Sequence, residues 1–173
     1  MRPFLLLLVC LSLSGSVFAQ TRKTAPAAAS SDAKAVEAAV VRFFDGMRAS
    51  DSTMARSVLA PNARLFSVGA GKDGTVLARE TPMAKFVEMI GQKHPQVLDE
   101  RIWNVKVNLD GDLATLWCDY AFYVGDTFSH CGADAFQLYR SAEGWKIFSI
   151  TDTRRKEGCD LKAAQAAKAK TSR

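Results

Sequence analysis

IWNVKVNLDGDLATLWCDYAFYVGDTFSHCGADAFQLYRSAEGWKIFSITDTRR, residues 102–155, decides the fold. Turn signals at Asp110-Gly111, at 125–129 and at Ala142-Glu143-Gly144 divide it into runs rich in β-branched and aromatic residues, the pattern of long antiparallel strands joined by hairpins. Each turn sets which residues lie opposite one another. With Asp110-Gly111 at the centre of the first turn, Leu109 pairs with Asp112, Val105 with Leu116, Trp103 with Cys118 and Arg101 with Tyr120. One face then carries Trp103, Val105, Val107, Leu116, Cys118, Tyr120 and Phe122. The other carries Asn104, Lys106, Asn108, Thr115 and Asp119, so apolar and polar residues segregate on both strands at once. A last loop over 142–144, with Gly144 left-handed, pairs Phe136 with Ile150, Leu138 with Phe148 and Asp134 with Asp152, and turns Trp145 outward. A one-residue slip there is the alternative. If Val124 opposes His130 in the middle hairpin, Cys118 faces Phe136 and Tyr120 faces Asp134, and a single inner row holds Arg101, Tyr120, Asp134 and Asp152.

Upstream, the spacing of Val36, Val40, Phe43, Phe44 and Met47 predicts an amphipathic helix over 33–49, with Asp32 as its cap. A shorter helix follows from Asp51 or Ser52 through Leu59 and stops at Pro61-Asn62. Strands at 64–68 and 75–78 flank the glycine-rich stretch 69–74. GAGKDG lacks both the GK[ST] ending of a phosphate loop and a helix behind it, so it reads as a hairpin turn. Thr81-Pro82 starts a third helix whose Met83, Phe86, Val87 and Ile90 face a core.

The first residues differ in kind from the rest. A basic Arg2, an apolar run from Phe4 to Leu13 and Val17-Phe18-Ala19 make a secretory signal over 1–19, cleaved near Ala19, and the apolar run is too short to span a bilayer. The expected organisation is this signal, a flexible leader (20–31), one domain (32–159) and a basic disordered tail (160–173). Export to the periplasm or medium is expected, with no membrane span in the mature chain. An oxidising compartment favours a disulfide, and Cys131, at the strand end nearest Cys159, is its expected partner, leaving Cys118 as a buried thiol. No cysteine or histidine spacing suits a metal, and no cofactor is expected. The net charge of +5 is concentrated in Arg154-Arg155-Lys156 and the tail, without interleaved aromatic residues, which argues against nucleic acid as a partner.

The layout of helix, PNARLF, capped helix, GDLATLWCDYAF and GWKI resembles the nuclear transport factor 2-like superfamily, over roughly residues 33–159. Within it, FSHCGADAF through EGWKIFSITDTRRKEGC resembles the SnoaL-like and lumazine-binding-like bacterial branch. The resemblance implies an α+β fold in which a cone-shaped, curved antiparallel sheet wraps three N-terminal helices and encloses a pocket. It also implies a homodimer through the outer sheet face, where Trp117 and Tyr123 fall. Catalytic residues differ between its branches, and none is carried over.

Two functions fit this pattern. In the first, the apolar cone binds a small hydrophobic or aromatic ligand, with Arg101, Trp103, Cys118, Phe122, Phe136 and Ile150 as its wall. In the second, the chain is a cofactor-independent isomerase, dehydratase or cyclase. Asp134 or Asp152 is then the base, one of them raised in pKa by the other, with Tyr120 as hydrogen-bond donor and His130 as an alternative base. A purely structural reading has Arg101 or Arg154 neutralise the two aspartates as a polar plug.

Overall fold

The computed structural model describes residues 26–171. The expected signal at 1–19 and the start of the expected leader lie outside the described residues. The order of elements is α1 (Pro26–Arg48), α2 (Ser52–Arg56), β1 (Leu59–Ala70), β2 (Val76–Thr81), α3 (Met83–Ile90), β3 (Leu98–Asp110), β4 (Leu113–Val124), β5 (Thr127–Ser141), β6 (Gly144–Thr153) and α4 (Leu161–Thr171). The strands form one open, curved six-stranded sheet in the order β2-β1-β6-β5-β4-β3. All neighbours are antiparallel except β1 and β6, which run parallel. No described helix is long and apolar enough to cross a membrane.

The inner face of the sheet closes on α1. Val36, Val40, Phe43, Phe44 and Met47 are nearly inaccessible to solvent and share one core with Leu116, Phe136, Leu138, Trp145 and Ile147. Helix α1 starts earlier than the composition of 20–31 implies, because the alanines after Pro26 are strong helix formers. Asp32 therefore lies inside the helix and is not its cap; it binds Arg140 Nη2 at 2.6 Å. Asp51 does cap α2, its carboxylate accepting the Met54 N–H at 2.9 Å. That helix ends at Arg56, and Pro61 sits within β1, at the irregularity where pairing with β6 shifts between Leu59 and Arg64. A proline is tolerated there because no ladder hydrogen bond needs its missing N–H. Thr81 is paired with Leu65 in β2, so Pro82 takes the N-cap position of α3. The stretch 69–74 is a hairpin turn, closed by Gly71 N–H to the Thr75 carbonyl at 2.8 Å.

Bulges and turn centres alter the expected register. The first two loops are Gly111-Asp112 and Gly125-Asp126, with glycine at φ +57 and +61 in the first central position, where positive φ is needed. This moves each pairing by two residues, so Tyr120 faces Gly132 and Asp134 faces Cys118, while their sheet face is unchanged. In β3 the pairing jumps from Lys106↔Trp117 to Trp103↔Asp119, with Asn104 left-handed at φ +51 and its side chain on Asp119 Oδ2 at 2.7 Å. The extra residue inverts the faces of everything N-terminal to it. In the last hairpin Asp134↔Asp152 and Phe136↔Ile150 pair, but a bulge at Phe148 sets Leu138 against Ile147 and turns Trp145 into the core.

The tail expected to be disordered forms α4. Ala164 is fully buried against Ala121, Tyr123 and Cys131 on the outer face of the sheet, with Trp103 and Cys159 alongside. Its lack of large apolar residues misleads, because alanine lets a helix lie close to a sheet that supplies the aromatic bulk. Cys131 and Cys159 are joined (S–S 2.02 Å, Cα–Cα 5.9 Å), which ties the approach to α4 onto β5. Cys118 is free and buried.

Candidate functional site

Between α1, α3 and the inner face of the sheet lies a cavity of about 180 Å³. Half of its apolar wall is aromatic. Phe43 and Phe44 come from successive positions of α1, Phe86 from α3 and Phe136 from β5. Phe43 stacks on Phe86 with centroids 6.0 Å apart, and Phe44 meets Phe136 edge-on at 5.9 Å. Met47, Met89 and Ile150 fill between the rings.

The opposite end is polar and holds Glu100, Tyr120, His130, Asp134, Asp152 and Arg154. Asp134 is 2 % exposed and Asp152 7 %. Burial raises the Asp134 carboxyl well above the usual carboxylate range, and the charge of Glu100 and a hydrogen bond to it raise it further. Burial also lifts Glu100, to about 7, against the pull of the Asp134 hydrogen bond. These two form an acid pair in which Asp134 donates a proton to Glu100. Asp152 Oδ2 accepts from Arg154 Nε at 2.7 Å, while Asp152 Oδ1 is buried without a hydrogen-bond partner. The Tyr120 hydroxyl donates to the Thr153 carbonyl at 2.8 Å and lies 3.4 Å from Asp152 Oδ2. Burial, with Glu100 adding, pushes its phenol pKa up. The close approach needs Gly132: a Cβ there would lie 1.9 Å from the Thr153 oxygen and 2.6 Å from the Tyr120 ring. His130 packs edge-on to Tyr120 at 5.7 Å, and burial lowers its pKa.

Of the residues singled out in the sequence, Tyr120, Phe122, His130, Asp134, Phe136, Ile150 and Asp152 line the cavity. His130 stands opposite Phe122 within the ladder and not at the rim. Cys118 faces inward but is packed in the core beside Asp134, its thiol pKa raised by burial. Arg101 and Trp103 are not part of the wall, because the Asn104 bulge turns both to the outer face. Arg101 donates to Asp99 Oδ2 at 2.6 Å and lies 3.7 Å over the Tyr123 ring. Trp103 packs in the cluster under α4. Glu100, which was not singled out in the sequence, takes the place expected of Arg101. The signal that could have revealed this is Asn104 itself, an asparagine between two core residues of a strand and among the few types that accept a left-handed backbone. Tyr120 is engaged through its only proton by Thr153, so its expected role as donor to a bound molecule is not the one it plays here. Among the described residues no group of three or more His, Cys, Asp or Glu is placed to hold a metal ion.

The architecture recurs in solved structures. A protein from Novosphingobium aromaticivorans, titled nuclear transport factor 2-like with a cystatin-like fold, superposes with a TM-score of 0.60 at 16% identity, covering 80% of this chain and 90% of that one. A nuclear transport factor 2-like superfamily protein from Salmonella enterica gives 0.58 at 12% identity over 77% and 97%. A protein from Streptomyces avermitilis titled a putative dehydratase gives 0.55 at 17% over 73% and 98%. At these identities the likeness is one of fold alone. The curated proteins contain no significant match. The sequence does match the family described as putative lumazine-binding over residues 31–151, the larger part of its length. The chain is thus a member of the putative lumazine-binding family with a nuclear transport factor 2-like fold.

Proposed function

We propose that this protein binds a small, largely aromatic or apolar molecule inside the cone. The observation that carries the reading is the division of one cavity into a wall of phenylalanines and a compact polar end. Its volume of about 180 Å³ is comparable with apolar cavities of about 150 Å³ that hold one benzene ring, so one or two fused rings fit. The family description names lumazine, which belongs in the first panel of ligands. Methyl NMR of Ile150, Met47 and Met89 tests the reading: saturable shifts confined to these groups support it. A panel of one- and two-ring compounds that leaves all of them unmoved overturns it.

A cofactor-independent isomerase, dehydratase or cyclase is the second reading, favoured by the Glu100–Asp134 acid pair beside apolar walls. Asp134→Asn separates the two, since a catalyst would lose turnover of a bound compound whereas a binding protein would lose only part of its affinity. Export is part of the proposal and is supported by residues 1–19; the mature N-terminus recovered from the extracytoplasmic fraction should be Gln20. So is a homodimer through the outer face, supported by the exposure of Trp117 (50 %) and of Leu113 and Tyr139, which pair with each other across β4 and β5. A monomeric mass in sedimentation at micromolar concentration would count against it.

A further inference from the structure

The polar end of the cavity is unevenly supplied with hydrogen-bond partners. Three carboxyl groups, Glu100, Asp134 and Asp152, share it with one guanidinium, Arg154, whose Nε is already committed to Asp152 Oδ2 at 2.7 Å. Two carboxyl oxygens, Asp134 Oδ2 and Asp152 Oδ1, are buried with no N–H or O–H donor from the protein. Asp134 has the Glu100 carboxyl as a hydrogen-bond partner; Asp152 Oδ1 has none. A buried acceptor left without a donor is destabilising, and more so when it is charged. The Tyr120 hydroxyl gives its proton to the Thr153 carbonyl. At this end the three carboxyl groups outnumber the possible donors, Arg154 and the His130 ring, and Asp152 Oδ1 is a buried acceptor without a donor, while the rest of the wall is made of phenylalanine rings with Met47, Met89 and Ile150 between them.

We infer that the ligand is a nitrogen base: a small aromatic or cyclic amine or amidine whose N–H groups donate to Asp152 Oδ1 and the Glu100–Asp134 pair while its ring lies among Phe43, Phe86 and Phe136. This combination of carboxylates and aromatic faces is the one that holds organic cations, because the ring faces attract positive charge as well as apolar surface. An anionic ligand would meet unpaired carboxylate oxygens, and a neutral ligand without N–H donors would leave Asp152 Oδ1 unsatisfied. The inference deepens the ligand-binding reading above and rests on it.

Three single-ring compounds of matched shape test it: benzamidine (cation), benzamide (neutral) and benzoate (anion), titrated at pH 7.5 against the methyl resonances of Ile150 and Met89. Benzamidine should bind at least tenfold more tightly than benzamide, and benzoate most weakly. Asp152→Asn should weaken benzamidine about tenfold and change benzamide by less than twofold. Benzamide or benzoate binding as tightly as benzamidine to the wild-type protein would overturn the inference and leave the cavity reading standing. Failure of all three to shift either methyl would remove the cavity reading and this inference together. The wild-type comparison decides the matter even if the Asn variant does not fold.

Discussion

Glu100 is an acid placed where ionisation is disfavoured, and that has a measurable cost. Its folded pKa, about 7, stands above the ordinary glutamate value of 4.5 because of burial first, with the Asp152 charge adding to it. A raised carboxyl pKa means that the native state holds its proton longer than the unfolded chain does. The associated stability is therefore complete below about 4.5, declines as pH rises, and is gone above about 7. Glu100→Gln removes this dependence. The variant should be more stable than wild type at pH 8, by up to about 3 kcal/mol, and similar to it at pH 4. Denaturant midpoints at the two values check this, and an equal difference at both would contradict the burial argument. Gly132 is the second decisive residue. With Thr153 O at 1.9 Å and the Tyr120 ring at 2.6 Å from an added Cβ, Gly132→Ala has to part β5 from β6, and a loss of about 3 kcal/mol or more is expected in thermal unfolding. In the sequence Gly132 looked like an ordinary strand residue, since alternation does not reveal a backbone approached by a neighbouring strand.

At the level of elements, the lesson lies in β3. Phe122 was legible as a cavity residue because nothing interrupts alternation along β4 from the first turn, and Phe136 and Ile150 because the extra residue at Phe148 offsets a last turn one residue shorter than expected and restores their pairing. Arg101 and Trp103 were not, because one left-handed residue, Asn104, inverts the strand beyond it. Hydropathy is silent on the inversion: Trp103 finds apolar neighbours on either side of the sheet, inside in the core or outside under α4. Asn104→Gly should be close to neutral, whereas Asn104→Val should cost about 1–2 kcal/mol, as expected for a β-branched residue forced left-handed. Equal stability of the two variants would show that the bulge does not depend on that conformation. The disulfide acts on α4 in the same local way. Cys131 and Cys159 close a loop of 28 residues in sequence separation, for which chain entropy gives about 3–4 kcal/mol. Cys159→Ser should lower stability by roughly that amount and open residues near Ala164 to protease, with the cavity side of the sheet still protected in hydrogen exchange.

Across the whole molecule, the two-faced sheet, the three N-terminal helices and the family resemblance could be read in advance because they depend on periodicity over many residues. The polar end of the cavity could be read only in part: Tyr120, His130, Asp134 and Asp152 were named, but Glu100 joins them only because of the bulge at Asn104. The strand made last, β6, is central, with β5 on one side and the parallel β1 on the other. Until residues 144–153 leave the ribosome, the β1–β2 hairpin has no sheet to join, and the long-range pairing that completes the cone waits for the end of synthesis. A chain ending at residue 143 should give no cooperative unfolding transition, whereas one ending at 159 should fold with reduced stability. Such an order of assembly keeps the polypeptide unlocked while it is being made and lets it set only once its last strand is complete.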